Sequence, residues 1–189
     1  MIDPEKVTNY NQTDKELEEF ILFWVCAAGK NGRTAARSLY RLLTDLGIWF
    51  SKKFTPFGLI RMANDFLDLA EWMRVSGIGC FNQKAKTFYA LATSGLDLKT
   101  CPASDLESIF GIGPKTARCF ILHSRRDAQH AGLDTHMLKH LRALGYDVPK
   151  STPTGKKYLT LEKNVLYLAK EAGMSPADYD LMIWNKYSK

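Results

Sequence analysis

From Phe20 to Ala28 the chain runs through nine apolar residues without a break. Just upstream, Thr13-Asp14-Lys15-Glu16 has the form of a capping box. With Leu17, this makes a helix that is apolar on most of its faces, and such a helix has to be wrapped by other elements. The run falls far short of the roughly 20 residues that cross a bilayer. Gly29-Lys30-Asn31-Gly32 stops it. The remainder of the chain offers wrapping elements of one kind only. Helical spacing of apolar residues recurs from Arg33 to Leu46 and near 57–73, 83–94, 103–110, 114–125, 135–144, 159–172 and 176–187. Pro114 and Pro176 stand where a first helical residue belongs, and Ser175 is a cap before Pro176. No stretch sustains the period-two alternation of a strand. The expected fold class is all-α.

Composition sets the scale of that fold. A chain of 189 residues buries roughly 70% of its unfolded surface, enough to stand without metal or disulfide staples. A hydrophobic share of 46% and a charged share of 24% exclude a disordered chain. The formal net charge of +6 favours a polyanionic partner, nucleic acid first. Cys26, Cys80, Cys101 and Cys119 are spaced by 54, 21 and 18 residues, unlike any zinc or iron–sulfur pattern. All four read as reduced, mostly buried thiols. Met1-Ile2-Asp3-Pro4-Glu5 lacks the form of a secretion leader, and the expected location is cytoplasmic with no membrane partner. Residues 149–157, polar and basic with two prolines, have linker character.

The sharpest local signal is Leu106-Glu107-Ser108-Ile109-Phe110-Gly111-Ile112-Gly113-Pro114-Lys115-Thr116-Ala117. Two short helices joined by Gly-Ile-Gly make a helix–hairpin–helix. The glycines permit positive φ and let a large anion approach the backbone amides. The second helix starts at Pro114, so its free N–H groups and dipole point at the hairpin, a phosphate site. Ile112 is expected to pack inward and tie the helices together. Contact with the DNA backbone, without sequence preference, is the expected use of Gly111, Ile112, Gly113 and Thr116.

Nineteen residues after Lys115, Gly132-Leu133-Asp134-Thr135-His136 places an acid at a helix start. The pair resembles the helix–hairpin–helix DNA glycosylase superfamily, the endonuclease III and 8-oxoguanine glycosylase group. There a hairpin lysine is the nucleophile and an aspartate follows at similar distance. Gly77-Ile78-Gly79-Cys80-Phe81-Asn82-Gln83-Lys84-Ala85 is similar to the family's Gly-x-x-x-x-Lys-Ala loop and helix. Residues 177–184 resemble the terminal helix of the archaeal-type 8-oxoguanine enzymes, and the chain ends in Lys189 as theirs end in lysine. The cluster cysteines of endonuclease III are absent. The resemblance implies two helical subdomains flanking a cleft. One is a barrel over 30–133 with the helix–hairpin–helix at about 103–125; the other comprises 1–29 with 134–189.

It also implies a chemistry that suits these residue types. Excising a base through a transition state with positive charge on the sugar needs an ionised carboxylate close by. Asp134, capping a helix, is expected to keep a low pKa for that task. Lys115 must be neutral to attack C1′, and its helix N-terminus and partial burial favour the neutral amine. Attack gives a Schiff base, and strand cleavage by β-elimination follows. The target nucleotide must be flipped out of the duplex. In the resemblance Asn31 contacts the orphaned base, Cys80 or Phe81 wedges into the stack, and Lys84 lies toward DNA. Arg118, Arg125 and Arg126 are further basic residues for which a solvated face is the default.

Lesion choice follows from the same likeness. Oxidation at C8 turns purine N7 from acceptor to donor, and Trp184 with the Lys189 carboxylate would hold that base. The partner is then double-stranded DNA with a damaged base, bound by a monomer. No cofactor is expected beyond a monovalent cation on hairpin carbonyls from Gly111 to Gly113. His136 and His140, one turn apart, lack a third ligand. Phe20, Phe23, Trp24, Trp49, Phe50, Phe54 and Phe57 read as core. Two alternatives stay open: a glycosylase for alkylated purines or oxidised pyrimidines, and a non-catalytic helix–hairpin–helix module that merely grips phosphate.

Overall fold

The structure is a computed structural model that describes Met1 to Ser188. Among the described residues every regular element is helical: α1 (Asp14–Ala27), α2 (Gly32–Trp49), α3 (Pro56–Phe66), α4 (Leu69–Val75), α5 (Phe81–Thr93), α6 (Ala103–Glu107), α7 (Pro114–Ser124), α8 (Thr135–Ala143), α9 (Gly155–Glu171) and α10 (Pro176–Tyr187). A single 3₁₀ turn over Pro4–Lys6 precedes them. No described helix is long and apolar enough to cross a membrane.

The chain forms two compact units. The first holds Met1–Val7 and Asn11–Ile112, the second Thr8–Tyr10 and Gly113–Lys189. Contacts therefore divide at 112–113, not at the expected 29–30 and 133–134. The physical reason lies in α1. Its capping box is formed, with Thr13 and Glu16 bonding each other's backbone N–H, and Leu17 and Phe20 through Cys26 are all buried. That burial is supplied by α2, α3 and α5, so α1 belongs with the first unit.

Two expected helices are redrawn. The stretch 57–73 is two helices, because Leu67 is extended and Asp68 caps α4 by accepting from Glu71 N–H at 3.0 Å. Helix α2 runs three residues past Leu46, which carries Ile48 and Trp49 off the buried Leu39–Leu42–Leu46 stripe. Trp49 is 63% exposed and packs edge-on against Trp72; Phe54 is also exposed, so neither belongs to the core. In the second unit, α9 begins at Gly155 inside the stretch read as linker. That stretch is docked, with Pro153 buried and Thr152 Oγ1 donating to Leu133 C=O at 3.3 Å.

Basic residues supply further corrections. Lys84 points inward, not toward DNA or solvent. Its ammonium donates to the carbonyls of Cys26 (2.9 Å) and Ala28 (3.3 Å), the unsatisfied C=O groups at the end of α1. Burial holds its pKa below the ordinary lysine value. Arg118 is likewise buried, paired with Glu162 at 3.0 Å and lying over the Tyr158 ring. Three cysteines are buried thiols as expected, but Cys80 is exposed.

Lys84→Met keeps the stem and removes the donors, leaving the α1 carbonyls without their charged partner. Unfolding in urea should show a loss of about 2 kcal/mol. An unchanged midpoint would mean that solvent serves those carbonyls equally well.

Candidate active site

The hairpin glycines are not equivalent. Gly111 has φ +82°, and a β-carbon there would lie 2.2 Å from Thr87 Oγ1. Both backbone and space demand glycine. Gly113 caps α7 with φ −93° and ψ 173°, ordinary extended backbone, and nothing approaches its missing β-carbon within 4 Å. The expectation of positive φ holds for Gly111 only. What Gly113 leaves open is space at the first turn of α7, where backbone N–H groups have no partner within the helix. Ile112 is buried as expected. Thr116 is buried too, so its side chain packs inward and does not face a DNA backbone.

Lys115 lies in that first turn, partly exposed, and its side chain hydrogen-bonds Cys119 one turn on. Burial pushes the Cys119 thiol up to about 12, so it stays protonated beside the amine. Asp134 caps α8, its Oδ1 accepting from Met137 N–H at 2.8 Å. The cap is as the sequence implies; the direction of the carboxyl's shift is not. Burial pushes the Asp134 carboxyl above the usual aspartate range and the neighbouring Asp180 adds to it. The Met137 N–H, Lys115 and His136 pull in the other direction without reversing it.

Asp180, on α10, is the side chain that sequence reasoning missed. It is largely buried, and its Oδ2 lies 3.2 Å from Nε2 of the fully buried His123. His123 Nδ1 lies 2.8 Å from Thr8 Oγ1. Gly132 explains how these groups come together: a β-carbon there would sit 2.3 Å from Cys119 Sγ and 3.6 Å from Asp180 Oδ1. The available signal was Gly132 itself, two residues before the acid, and an aspartate four residues before Trp184 on the same helix face.

The loop carrying Asp134 is held from behind. Tyr158 OH donates to Ala131 C=O at 2.7 Å and accepts from Leu133 N–H at 3.2 Å. Glu162 Oε1 accepts from Ala131 N–H (3.1 Å) and Arg118 Nε (3.0 Å), with His130 Nδ1 3.1 Å away. Burial opposes the Glu162 charge, yet these partners hold its carboxyl below the usual range.

Within the first unit the turn that holds Asn31 and the loop that leads to Cys80 lie side by side, a β-carbon on Gly79 falling 2.6 Å from Lys30 Cε. Asn31 caps α2, its Oδ1 engaged by Arg33 N–H and Thr34 N–H. Cys80 is exposed at the start of α5 with φ +54°, the one described non-glycine residue at positive φ, and Phe81 follows half-buried. Trp184 is half-buried, its ring perpendicular to that of His136 with 6.5 Å between centroids. His140 Nε2 is bonded to Tyr179 OH at 3.0 Å, so the two histidines serve separate partners. Lys189 lies outside the described residues.

No family model matches the chain. Two solved structures do share its fold. The 8-oxoguanine DNA glycosylase of Thermotoga maritima superposes with a TM-score of 0.71 at 22% identity, over 94% of this chain and 82% of that one. The Methanocaldococcus jannaschii 8-oxoguanine glycosylase/lyase, in complex with a 15mer DNA containing 8-oxoguanine, gives a TM-score of 0.69 at 22% identity, over 94% and 83%. The chain thus has the all-helical fold of these proteins.

Two substitutions separate structure from binding at the hairpin. Gly111→Ala should cost at least about 2 kcal/mol of stability, from strain and the Thr87 collision. Gly113→Ala should melt like the parent protein yet bind undamaged duplex at least several-fold more weakly, with a shallower salt dependence. Equal affinity in Gly113→Ala would show that phosphate does not dock there. The Asp134 carboxyl makes a further test. Because its folded pKa is raised, the unfolded chain ionises first as pH rises above about 3.8, the ordinary value, and folding stability falls until the folded carboxyl ionises too. Asp134→Asn keeps a capping oxygen and escapes that loss. Its melting temperature should match the parent near pH 3 and exceed it at pH 7; a lower value at pH 7 would contradict the raised pKa.

Proposed function

We propose that this chain is a base-excision DNA glycosylase with AP lyase activity, and that its substrate is an oxidised purine in duplex DNA, 8-oxoguanine first. The observation that carries the reading is the placement of a partly exposed Lys115 at the first turn of α7, with the Asp134 cap of α8 and the Cys119 thiol in its immediate field. A lysine that only gripped phosphate would need neither the carboxylate nor the enclosed thiol beside it. Both neighbours that share the fold are 8-oxoguanine enzymes, which supports the choice of lesion.

In this reading the hairpin amides and the open approach at Gly113 hold the DNA backbone, consistent with the net charge of +6. A flipped nucleotide brings its C1′ to Lys115. The neutral amine forms an N–C1′ bond as the glycosidic bond breaks, and the departing base takes that electron pair. Ionised, the carboxylate at Asp134 stabilises positive charge on the sugar as it develops. Ring opening gives the Schiff base, loss of a C2′ proton expels the 3′ phosphate, and hydrolysis returns Lys115. In the same reading Trp184, whose ring packs perpendicular to His136, stacks on the flipped purine. In this reading the enzyme works as a monomer in the cytoplasm, on nucleoid DNA where the source is prokaryotic.

The test is incision and borohydride trapping on duplexes that each carry one defined lesion. The parent chain should incise the 8-oxoguanine duplex and leave a covalent adduct. Lys115→Gln should lose both by about 10³-fold or more while binding duplex within a few-fold of the parent. An adduct formed by Lys115→Gln rules out that nucleophile. Cleavage confined to alkylated purines or oxidised pyrimidines moves the lesion class, and binding without any adduct leaves a passive module.

A further inference from the structure

One enclosed ionisable chain remains without a task in that scheme. Asp180 reaches from α10 toward Cys119 and Gly132, and it is anchored from behind by His123 and Thr8. An imidazole that accepts from Thr8 at Nδ1 carries its N–H at Nε2 and donates it to Asp180 Oδ2. That bond fixes the carboxylate and leaves Oδ1 turned toward Gly132 and the Cys119 thiol. A salt bridge built for stability would put lysine or arginine on this carboxylate. Instead its Oδ1 lies beside Gly132 and the Cys119 thiol, which Lys115 hydrogen-bonds, and its charge acts on the Asp134 carboxyl.

Resting on the glycosylase/lyase reading, we propose that Asp180 is a third working side chain of this site: paired with Asp134, it accepts the proton that Lys115 must shed before attack, and the His123–Thr8 chain holds it in place to do so. One N–H bond of the Lys115 ammonium breaks, the electron pair stays on nitrogen, and the proton forms an O–H bond on the carboxylate pair. Two neighbouring carboxylates in poor contact with water hold one proton far more readily than two charges. The influence of Asp180 in raising the Asp134 carboxyl agrees with that coupling. The departing base anion, which leaves with the glycosidic electron pair, is a sink for the same proton. No co-reactant is required.

The groups that face the pair are few. From α7 come Lys115, Cys119 and His123, and from α8 comes His136. From α9, Tyr158 interacts electrostatically with the Cys119 thiol; its phenol is pushed up by burial, so it does not titrate in the working range. Of the tyrosine and acid nearby, Tyr10 and Asp178 interact with each other.

Single-turnover excision from the 8-oxoguanine duplex, measured against pH, tests the assignment. Asp180→Asn keeps an acceptor for His123 and should melt near the parent temperature. Its excision rate at pH 7 should fall by about 10²-fold and recover as pH is raised, because hydroxide then deprotonates Lys115 without help. Duplex affinity should stay within a few-fold. A loss that does not recover at high pH would mark a structural role and overturn the proposal, as would an unchanged rate and profile. Should Asp180→Asn fail to fold, Thr8→Val carries the test. It removes the donor to His123 at a half-buried position and should shift the pH–rate profile to the alkaline side with its plateau intact; an unmoved profile overturns the relay. A parent chain that traps no adduct on any lesion overturns the functional reading and the relay with it. A parent chain that traps, beside an unaltered Asp180→Asn, overturns the relay alone.

Discussion

A β-carbon on residue 132 would stand 2.3 Å from Cys119 Sγ, closer than packed atoms come, and 3.6 Å from Asp180 Oδ1. Glycine at that point lets three separate helices bring polar side chains to one place. Lys115 and Cys119 come along α7, Asp134 caps α8, and Asp180 comes from α10. Each helix is ordinary by itself: a proline start for α7 and α10, an aspartate cap for α8. What is not ordinary is that the loop between α7 and α8 passes close enough to the thiol to exclude any larger residue. The chemistry of the site depends on that close approach, because electrostatic coupling between these groups falls off with distance and with every water admitted.

Close approach has to be enforced, since loops of this kind otherwise relax toward solvent. Here the enforcement comes from α9. Tyr158 clamps Ala131 and Leu133 by both of its hydroxyl's functions, and Glu162 takes three donors at one oxygen. Arg118 closes the arrangement by lying over the Tyr158 ring while bonding Glu162. Buried ion pairs of this kind add little net stability compared with apolar packing, and their breakage costs several kcal/mol. Their effect is to make one position of the loop far better than any other. Asp134 inherits that position through Leu133, which is fully buried.

How much of this was legible in the residue string differs by level. Helix starts were readable because caps are local chemistry: Thr13, Ser175, Pro114 and Asp134 each do at their own position what their side chains dictate. The inward turn of Ile112 and the burial of α1 followed from apolar spacing. Lys84 and Arg118 were misjudged for a common reason. A long basic side chain carries no mark of whether carbonyls at a helix end or a buried glutamate 44 residues away will claim it. The direction in which the Asp134 carboxyl shifts was misjudged for a related one. A helix cap lowers a carboxyl's pKa by local bonds that sequence shows, whereas burial and Asp180 raise it through space. The division of the chain into units depends on which neighbours wrap α1, and apolarity on most faces names no neighbour.

Two enclosed acids in the second unit meet opposite surroundings. Glu162 and Asp134 both lose water on folding. Glu162 is compensated by an arginine, a histidine and a backbone amide, and its carboxyl ends below the ordinary range. Asp134 has one backbone amide, and the pull of Lys115 and His136 does not outweigh burial and the charge of Asp180, so its carboxyl ends above that range. A fold selected for stability alone has no reason to treat two acids so differently within one short loop and its support. Perturbation by burial plus a like charge gathers where protons have to move. Glu162, compensated on every side, fixes the loop, while Asp134 is left in surroundings that favour its proton. Under the proposed glycosylase reading, that asymmetry separates the part of the network that holds the structure from the part that would move protons.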